Sequence, residues 1–181
     1  MIGRAPKITL VGQMGVGKTT VARLLADRRG VPWVDLDHAI EARGRTIAEI
    51  FASDGEAAFR ALEADVRDAL YARPEPLVVA TGGGAPCAPG AIEVMRAAGP
   101  VIWLQLAPAE IARRLSGDDR AARPLLARLA PDAAAAFLAE QLEARRAFYA
   151  GADLSFDASP PPDEVAAAID RALHDLLDTI G

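Results

Sequence analysis

Short apolar runs alternate with longer amphipathic stretches along this chain. The runs that predict strands cover Lys7–Val11, 31–36, Leu77–Ala80, 101–106 and 154–156. Between two of them, apolar residues recur at helical spacing, and the clearest set is Phe59, Leu62, Val66 and Leu70. Strands that alternate with helices are typical of βαβ units. The pattern therefore predicts an α/β fold with a parallel sheet.

Helix boundaries are marked by capping residues and glycines. The segment that follows residue 17 has an apolar stripe, and Gly30 is expected to end its helix. Thr46-x-x-Glu49 and Ser53-x-x-Glu56 both have the spacing of a capping box, which predicts two helix starts. Later helices are predicted for 108–115, 132–149 and the segment after the prolines at 160–162.

A glycine-rich loop lies directly behind the first predicted strand. Its sequence, GQMGVGKT at 12–19, fits G-x-x-x-x-G-K-[ST]. In such a loop the backbone N–H groups and the following helix N-terminus bind phosphates. Lys18 then reaches the β- and γ-phosphates, and the Thr19 hydroxyl holds Mg²⁺. A structural turn would explain the glycines but not the Lys-Thr pair, so the loop predicts binding of a nucleoside triphosphate, with Lys18 facing solvent when the site is empty.

Asp35 and Asp37 follow the second predicted strand. In extended chain they point to the same side, towards the crevice at the carboxyl ends of the strands. Asp35 is then a candidate for the Mg²⁺ shell, and Asp37 for binding or deprotonating an acceptor hydroxyl. Two aspartates that cap the next helix would explain the same pattern at least as well.

Further candidates for ligand binding are spread along the chain. Gly82-Gly83-Gly84 follows the third strand, where bare backbone can approach a ligand or form a flexible turn. Arg60, with Glu63 one turn later, is either a positioned cation or half of a surface ion pair.

Two arginines of the second half are also candidates. Arg145 interrupts an apolar stripe and either meets an anionic ligand or extends its head to solvent. Arg123, in a charged loop, could cover the phosphates or remain solvated.

Composition narrows the class of protein. The chain has 181 residues, 51% of them apolar, and a net charge of −5. It is long enough for one α/β domain and gives no support to a nucleic-acid partner. It contains no membrane-length apolar run, so no membrane association is expected. The single cysteine, Cys87, fits a reducing compartment, and we expect a cytoplasmic location.

Taken together, these segments resemble the shikimate kinase family over nearly the full length of the chain. The matching motifs are GQMGVGKT at 12–19, DLD at 35–37, GEAAFRALE at 55–63, GGG at 82–84, RPLL at 123–126 and RRAFY at 145–149. The resemblance implies a three-layer P-loop NTPase fold of nucleoside-monophosphate-kinase type, with a five-stranded parallel sheet and a mobile lid. It also implies transfer of the γ-phosphoryl of MgATP to the 3-hydroxyl of shikimate.

Residue roles follow from the resemblance. Shikimate would be held by Asp37, Arg60, Gly82, Gly83, Gly84 and Arg145, with both arginines on its carboxylate. ATP would be bound by Gly15, Val16, Gly17, Lys18, Thr19, Thr20, Arg114, Arg123 and Ser159. The catalytic residues would be Lys18, Asp37 and Arg123. One Mg²⁺ would be held by Thr19 and Asp35.

The resemblance also implies a single domain over residues 1–181, acting as a monomer. Its substrate-binding region would cover about 35–63 and its lid about 114–126. The last motif departs from the family's usual R-x-P-L-Y, because Ala147 and Phe148 replace the Pro and Leu. The long lid also leaves open whether Arg114 or Arg120 approaches the nucleotide.

Two other functions fit part of the pattern. A gluconate kinase of the same architecture would also bind a carboxylated polyol. A kinase-like sensor domain would bind a ligand without catalysis, but it should have lost the phosphate loop or Asp37. His38, Cys87 and the two tryptophans receive no functional role.

Overall fold

The computed structural model describes residues 6–115, 129 and 131–180, and a parallel sheet of five strands organises them. The strands are β1 (Lys7–Val11), β2 (Trp33–Asp35), β3 (Leu77–Ala80), β4 (Val101–Gln105) and β5 (Leu154–Asp157). Their order across the sheet is β2-β3-β1-β4-β5. In this register Leu10 of β1 lies beside Ala80, and Thr9 lies beside Val101. The predicted α/β fold with a five-stranded parallel sheet is confirmed.

Helices connect the strands. In the described ranges they are α1 (Lys18–Arg29), α2 (Leu36–Glu41), α3 (Ile47–Tyr71), a 3₁₀ turn (Ala85–Cys87), α4 (Ala91–Ala98), α5 (Pro108–Arg114), α6 (Pro131–Tyr149) and α7 (Pro162–Ile180). As predicted, Gly30 ends α1; its φ of 64° is a left-handed conformation that favours glycine. None of the helices in these ranges combines the length and the apolar character needed to span a bilayer.

The alternation of side chains along the strands builds a core on each face of the sheet. Ile8 and Leu10 of β1 belong to one buried cluster, together with Leu25 of α1 and Ile169 of α7. Val11 points the other way, into a second cluster that includes α3 and α4. Two helical layers therefore cover the sheet, and its three central strands, β3, β1 and β4, are buried on both sides as expected of a parallel sheet.

The region after β2 corrects the prediction of a strand over 31–36. The strand ends at Asp35, because this side chain caps α2 by accepting from the backbone N–H groups of Asp37 (3.0 Å) and His38 (3.3 Å). The short helices α2 and α4, of six and eight residues, were not predicted.

The α3 segment corrects a second prediction. The capping box at Thr46 is confirmed, since the Thr46 hydroxyl accepts from the Glu49 N–H and the Glu49 carboxylate accepts from the Thr46 N–H. A second helical segment does begin in this region, as predicted, but Ser53 does not cap it, because the Ser53 hydroxyl donates to the Glu49 carbonyl at 2.7 Å inside the first helical segment. The break lies at Gly55, where φ is 81° and ψ is 175°.

Polar side chains are also buried at the amino end of β1, away from the phosphate loop. The Lys7 ammonium donates to the carbonyls of Arg73 (2.7 Å) and Glu75 beyond the end of α3. The hydroxyls of Thr9 and Tyr71 share a buried hydrogen bond of 2.8 Å. These contacts fix the last turn of α3 to the central strand.

Candidate active site

The glycine-rich loop turns sharply between β1 and α1. Gly12 and Gly15 have φ values of 139° and 77°. A Cβ at position 12 would lie 2.6 Å from the carbonyl oxygen of Leu104 on β4. A side chain there would push the loop off the sheet, so glycine is needed for both conformation and space. The loop is held close over the carboxyl ends of the central strands, where parallel α/β sheets bind ligands.

The Lys18 ammonium lies folded against its own loop. It donates to the carbonyls of Gly12 (2.8 Å) and Gln13 (2.7 Å), and the residue is only 8% exposed. The expectation that this side chain faces solvent in the empty site is therefore wrong. Hydrogen bonds to backbone carbonyls compensate for the loss of hydration of the ammonium, so the side chain remains buried against the loop.

Asp35 and Asp37 share a cavity of about 570 Å³ with Lys18 and Thr19. The Thr19 hydroxyl donates to Asp35 Oδ2 at 2.7 Å. The prediction that both aspartates project from one extended segment is wrong, because Asp37 lies in the first turn of α2 rather than on β2. The alternative of a helix cap is correct for Asp35, which uses one carboxylate oxygen for the cap and the other for Thr19.

Asp37 is the most perturbed acid of this cavity. Burial, and after it the neighbouring Asp35 carboxylate, raise its pKa from 3.8 to about 6, against the opposing field of Lys18. A carboxylate with this pKa is still ionised at pH 7 but is a stronger base than an ordinary aspartate. Such a group is suited to general-base work.

The three glycines after β3 each face a different functional side chain. A Cβ at position 82 would lie 2.6 Å from Asp37 Oδ1, and one at position 84 would lie 2.5 Å from Arg60 Nη2. A Cβ at position 83 would lie 3.3 Å from Arg145 Nη1. The structure thus brings together residues from α2, α3 and α6 around one stretch of bare backbone.

Arg60 is held by Glu63. Arg60 Nη1 donates to Glu63 Oε2 at 2.7 Å, and the guanidinium carbon lies 5.1 Å from the centre of the Phe59 ring. The Glu63 side chain is only 6% exposed, and burial raises its pKa. The alternative of an ordinary surface ion pair is therefore wrong. The carboxylate fixes the guanidinium next to Gly84.

Arg145 lies on the α6 face that also buries Leu138 and Tyr149. The Tyr149 hydroxyl donates to the Gly83 carbonyl at 2.6 Å, which fixes the end of α6 against the glycine stretch. Burial raises the pKa of Tyr149 to about 12, although the positive charge of Arg145 opposes this shift. Arg145 is thus presented to the site from a rigid helix.

Arg114 lines the cavity of the phosphate loop and contacts the chain after β5. It lines the same cavity as Gly15 and Thr20, and its guanidinium donates to the carbonyls of Ala158 (2.9 Å) and Ser159 (2.8 Å). Ser159 and Val16 both line a neighbouring cavity of about 450 Å³. Arg120 and Arg123 lie outside the described residues.

A family model decides between the possible functions of this arrangement. The model described as "Shikimate kinase" matches residues 14–174. The chain belongs to the shikimate kinase family. A shikimate kinase of Synechococcus elongatus is 48% identical over 173 residues, which cover 93% of this chain and 86% of that protein.

Solved shikimate kinases have the same fold. The crystal structure from Bacteroides thetaiotaomicron has a TM-score of 0.85 at 35% identity and covers 96% of this chain and 98% of that one. The shikimate kinase of Acinetobacter baumannii, determined in complex with shikimate, has a TM-score of 0.84 at 34% identity, with 94% of both chains covered.

Some residues of this shikimate kinase cavity were not predicted from the sequence. Met14, His38 and Thr81 also line it. Thr81 follows β3 directly, and its hydroxyl donates to the Leu10 carbonyl at 3.0 Å. Its place at the carboxyl end of a strand was an available signal, whereas the position of His38 depends on the unpredicted helix α2.

Proposed function

We propose that this chain transfers the γ-phosphoryl group of ATP to the 3-hydroxyl of shikimate, giving shikimate 3-phosphate and ADP. The observation that carries the proposal is the meeting of Asp37, Arg60 and Arg145 at the three glycines beside the phosphate loop. This set offers one base and two cations to a ligand that has a carboxylate and hydroxyl groups. The relative solved with shikimate supports the same substrate.

The nucleotide lies on the loop and the N-terminus of α1. Backbone N–H groups from Gly15 to Thr20 bind its phosphates, and Lys18 exchanges its two carbonyl partners for phosphate oxygens. Arg114 and Ser159 lie on the adenine side. Arg123 covers the phosphates and offsets negative charge as it develops on the transferred group.

One Mg²⁺ accompanies the nucleotide, and the donors of Thr19 and Asp35 fit it. A hydroxyl and a carboxylate oxygen 2.7 Å apart are hard oxygen ligands, which Mg²⁺ combines with phosphates and water. Within the described residues no group of three or more His, Cys, Asp or Glu side chains could hold a metal, so a site of few protein ligands fits best. Bound there, the ion neutralises phosphate charge.

The acceptor is oriented by its carboxylate and activated at its hydroxyl. Arg60 and Arg145 bind the carboxylate, and the bare backbone of Gly82–Gly84 leaves room for the ring. Asp37 accepts the proton of the 3-hydroxyl as the oxygen–phosphorus bond forms and the bond to the β-phosphate bridging oxygen breaks. ADP leaves, and the proton passes from Asp37 to water.

The proposal extends to the organisation of the protein. We infer a single domain over 1–181, with a substrate-binding region at about 35–63 and a lid at about 114–126, most of which lies outside the described residues. The partners are ATP and shikimate, without nucleic acid or membrane. The enzyme works as a monomer in the cytoplasm. The single cysteine supports a reducing compartment, and the acidic net charge supports the absence of a nucleic-acid partner.

Shikimate-dependent release of ADP tests the proposal. We expect turnover with shikimate and none above background with gluconate or nucleoside monophosphates at equal concentration. Turnover with gluconate alone would reassign the substrate to another carboxylated polyol. ATP binding without turnover on any acceptor would favour the sensor function. Asp37→Asn is the matched control, because it should bind both ligands and release little ADP.

A further inference from the structure

Arg67 lies on α3 where an apolar side chain would be expected. Its side chain is 9% exposed, and the same helix face buries Phe59, Val66 and Leu70. Its guanidinium donates to Asp68, whose side chain is 57% exposed, at 2.9 Å. Removing a guanidinium from water is costly, and a partner that remains in water compensates only part of that cost.

Glu63 lies one turn before Arg67 and has an incomplete set of partners. Its Oε2 accepts from Arg60, but its buried Oε1 has no hydrogen-bond partner among the described residues. A buried carboxylate stays ionised only if nearby cations offset its desolvation. Residues three or four apart are neighbours on a helix, so Arg67 supplies a second positive charge one turn after Glu63, on the same helix face as Arg60.

We propose that Arg67 is a positioning residue that acts on Arg60 through the Glu63 carboxylate. The inference rests on the proposed function, in which Arg60 binds the carboxylate of shikimate. An ionised Glu63 holds the Arg60 guanidinium in one place by a charge-assisted hydrogen bond. A neutral Glu63 holds it weakly, and shikimate must then order the side chain on binding.

This role of Arg67 predicts that the KM for shikimate depends on pH through protonation of Glu63. Burial raises the pKa of Glu63, and Arg60 and Arg67 oppose the shift from its own helix. From other elements, Asp37 of α2 and Cys87 of the 3₁₀ turn face the same carboxylate. Without Arg67 the pKa of Glu63 rises further, so Glu63 takes up its proton at a higher pH. The KM for shikimate should then begin to rise at a higher pH as the buffer is acidified.

The test compares Arg67→Leu with Arg67→Lys, which keeps the charge. We expect Leu to raise the KM for shikimate about threefold to tenfold at neutral pH, with kcat and the KM for ATP changed less than about twofold. Lysine should restore most of the affinity. Arg29→Leu is the matched control, because it removes an arginine paired at 2.7 Å with Asp170, away from the site.

A double-variant cycle separates positioning from a purely structural role. In a Glu63→Gln background, Arg67→Leu should leave the KM for shikimate and its pH profile unchanged. Equal effects of Arg67→Leu with and without Glu63 would overturn the inference, as would a lowered Tm with an unshifted pH profile. If Arg67→Leu does not fold, Arg67→Met takes its place in the same cycle. Wild-type protein without shikimate-dependent ADP release would instead overturn the proposed function.

Discussion

The two halves of the site are built in different ways. In the nucleotide half, the phosphate-binding part comes from one contiguous stretch, residues 12–20, and relies on backbone groups held by left-handed glycines. The acceptor half comes from α2, α3, α6 and the turn after β3, and relies on side chains that lie far apart in sequence. A local motif carries its own geometry, whereas the acceptor half exists only when the whole sheet has assembled.

The halves also differ in electrostatics. In the nucleotide half, the Lys18 ammonium donates hydrogen bonds to backbone carbonyls of its own loop. In the acceptor half, Asp37 is half-buried and Glu63 is buried, and both acids have raised pKa values. Changes in the first half should therefore stop the chemistry at every pH. Changes in the second should separate binding from turnover and should depend on pH.

The largest effect is expected from Lys18→Ala. Removing the cation at the β- and γ-phosphates should lower kcat by about a thousandfold or more. The fold should persist, because the loop carbonyls it leaves can be hydrated. Steady-state kinetics measures the loss of kcat, and the Tm shows whether the fold persists. Lys18→Arg is the control that keeps the positive charge but changes the shape of the cationic group. A folded Lys18→Ala variant with near wild-type turnover would contradict the assignment of the phosphate loop.

Asp37→Asn should follow, with kcat lower by about a hundredfold to ten-thousandfold, the usual range for a general base. Size and some hydrogen bonding are kept, so ATP affinity should change little. Isothermal titration with each ligand, alongside kinetics, measures this. Loss of ATP or Mg²⁺ binding with shikimate binding intact would move Asp37 to the metal shell.

Arg145→Lys should weaken shikimate binding by roughly tenfold to a hundredfold, since a charge-assisted contact contributes about 1.5–3 kcal/mol. Lysine keeps the charge but not the planar fork that binds a carboxylate through two bonds. ATP binding should stay nearly unchanged. A shikimate analogue without the carboxylate serves as control, and its weak binding should be indifferent to the substitution. Equal losses for both ligands would show that Arg145 does not hold the carboxylate.

The smallest effect is one of stability. The folded protein raises the pKa of Asp37, so between pH 4 and 6 the folded state binds its proton more tightly than the unfolded state does. The stability that protonated Asp37 contributes is therefore fully present below pH 4 and is lost as the pH rises through about 6. Asp37→Asn should therefore be more stable than wild type at pH 7 by about 1–3 kcal/mol, and equally stable near pH 4.

Denaturant unfolding with EDTA and without ligands measures this difference. A difference that stays the same at both pH values would show that ionisation of Asp37 is not its source.

How much the sequence could reveal follows the same division. The loop at 12–20 was predicted because its residues are adjacent and its spacing is specific. Asp37 was correctly placed near the phosphate loop, but it was expected on extended chain. The structure has it on α2, a helix that was not predicted and that begins because Asp35 caps it. The buried storage of Lys18 could not be predicted, because it depends on the curvature of the loop.

The acceptor half shows the limit more clearly. No local pattern places Arg60 beside Gly84 or Arg145 beside Gly83, and only the family resemblance suggested that they meet. Arg67 was not predicted to have a role, because its burial depends on how α3 packs against the rest of the fold. The role of Arg123 stays a prediction.

Storage of the Lys18 ammonium has a consequence for covalent chemistry. The chain contains only two lysines, Lys7 and Lys18, and their exposures are 1% and 8%. Lys7 is fixed to carbonyls beyond the end of α3, so the side-chain amine that can be uncovered by movement of a loop is that of Lys18. An acylating reagent should label it slowly, at a rate set by opening of the loop. Because a bound nucleotide would cover the same amine, protection from labelling would report occupancy of the site without any turnover.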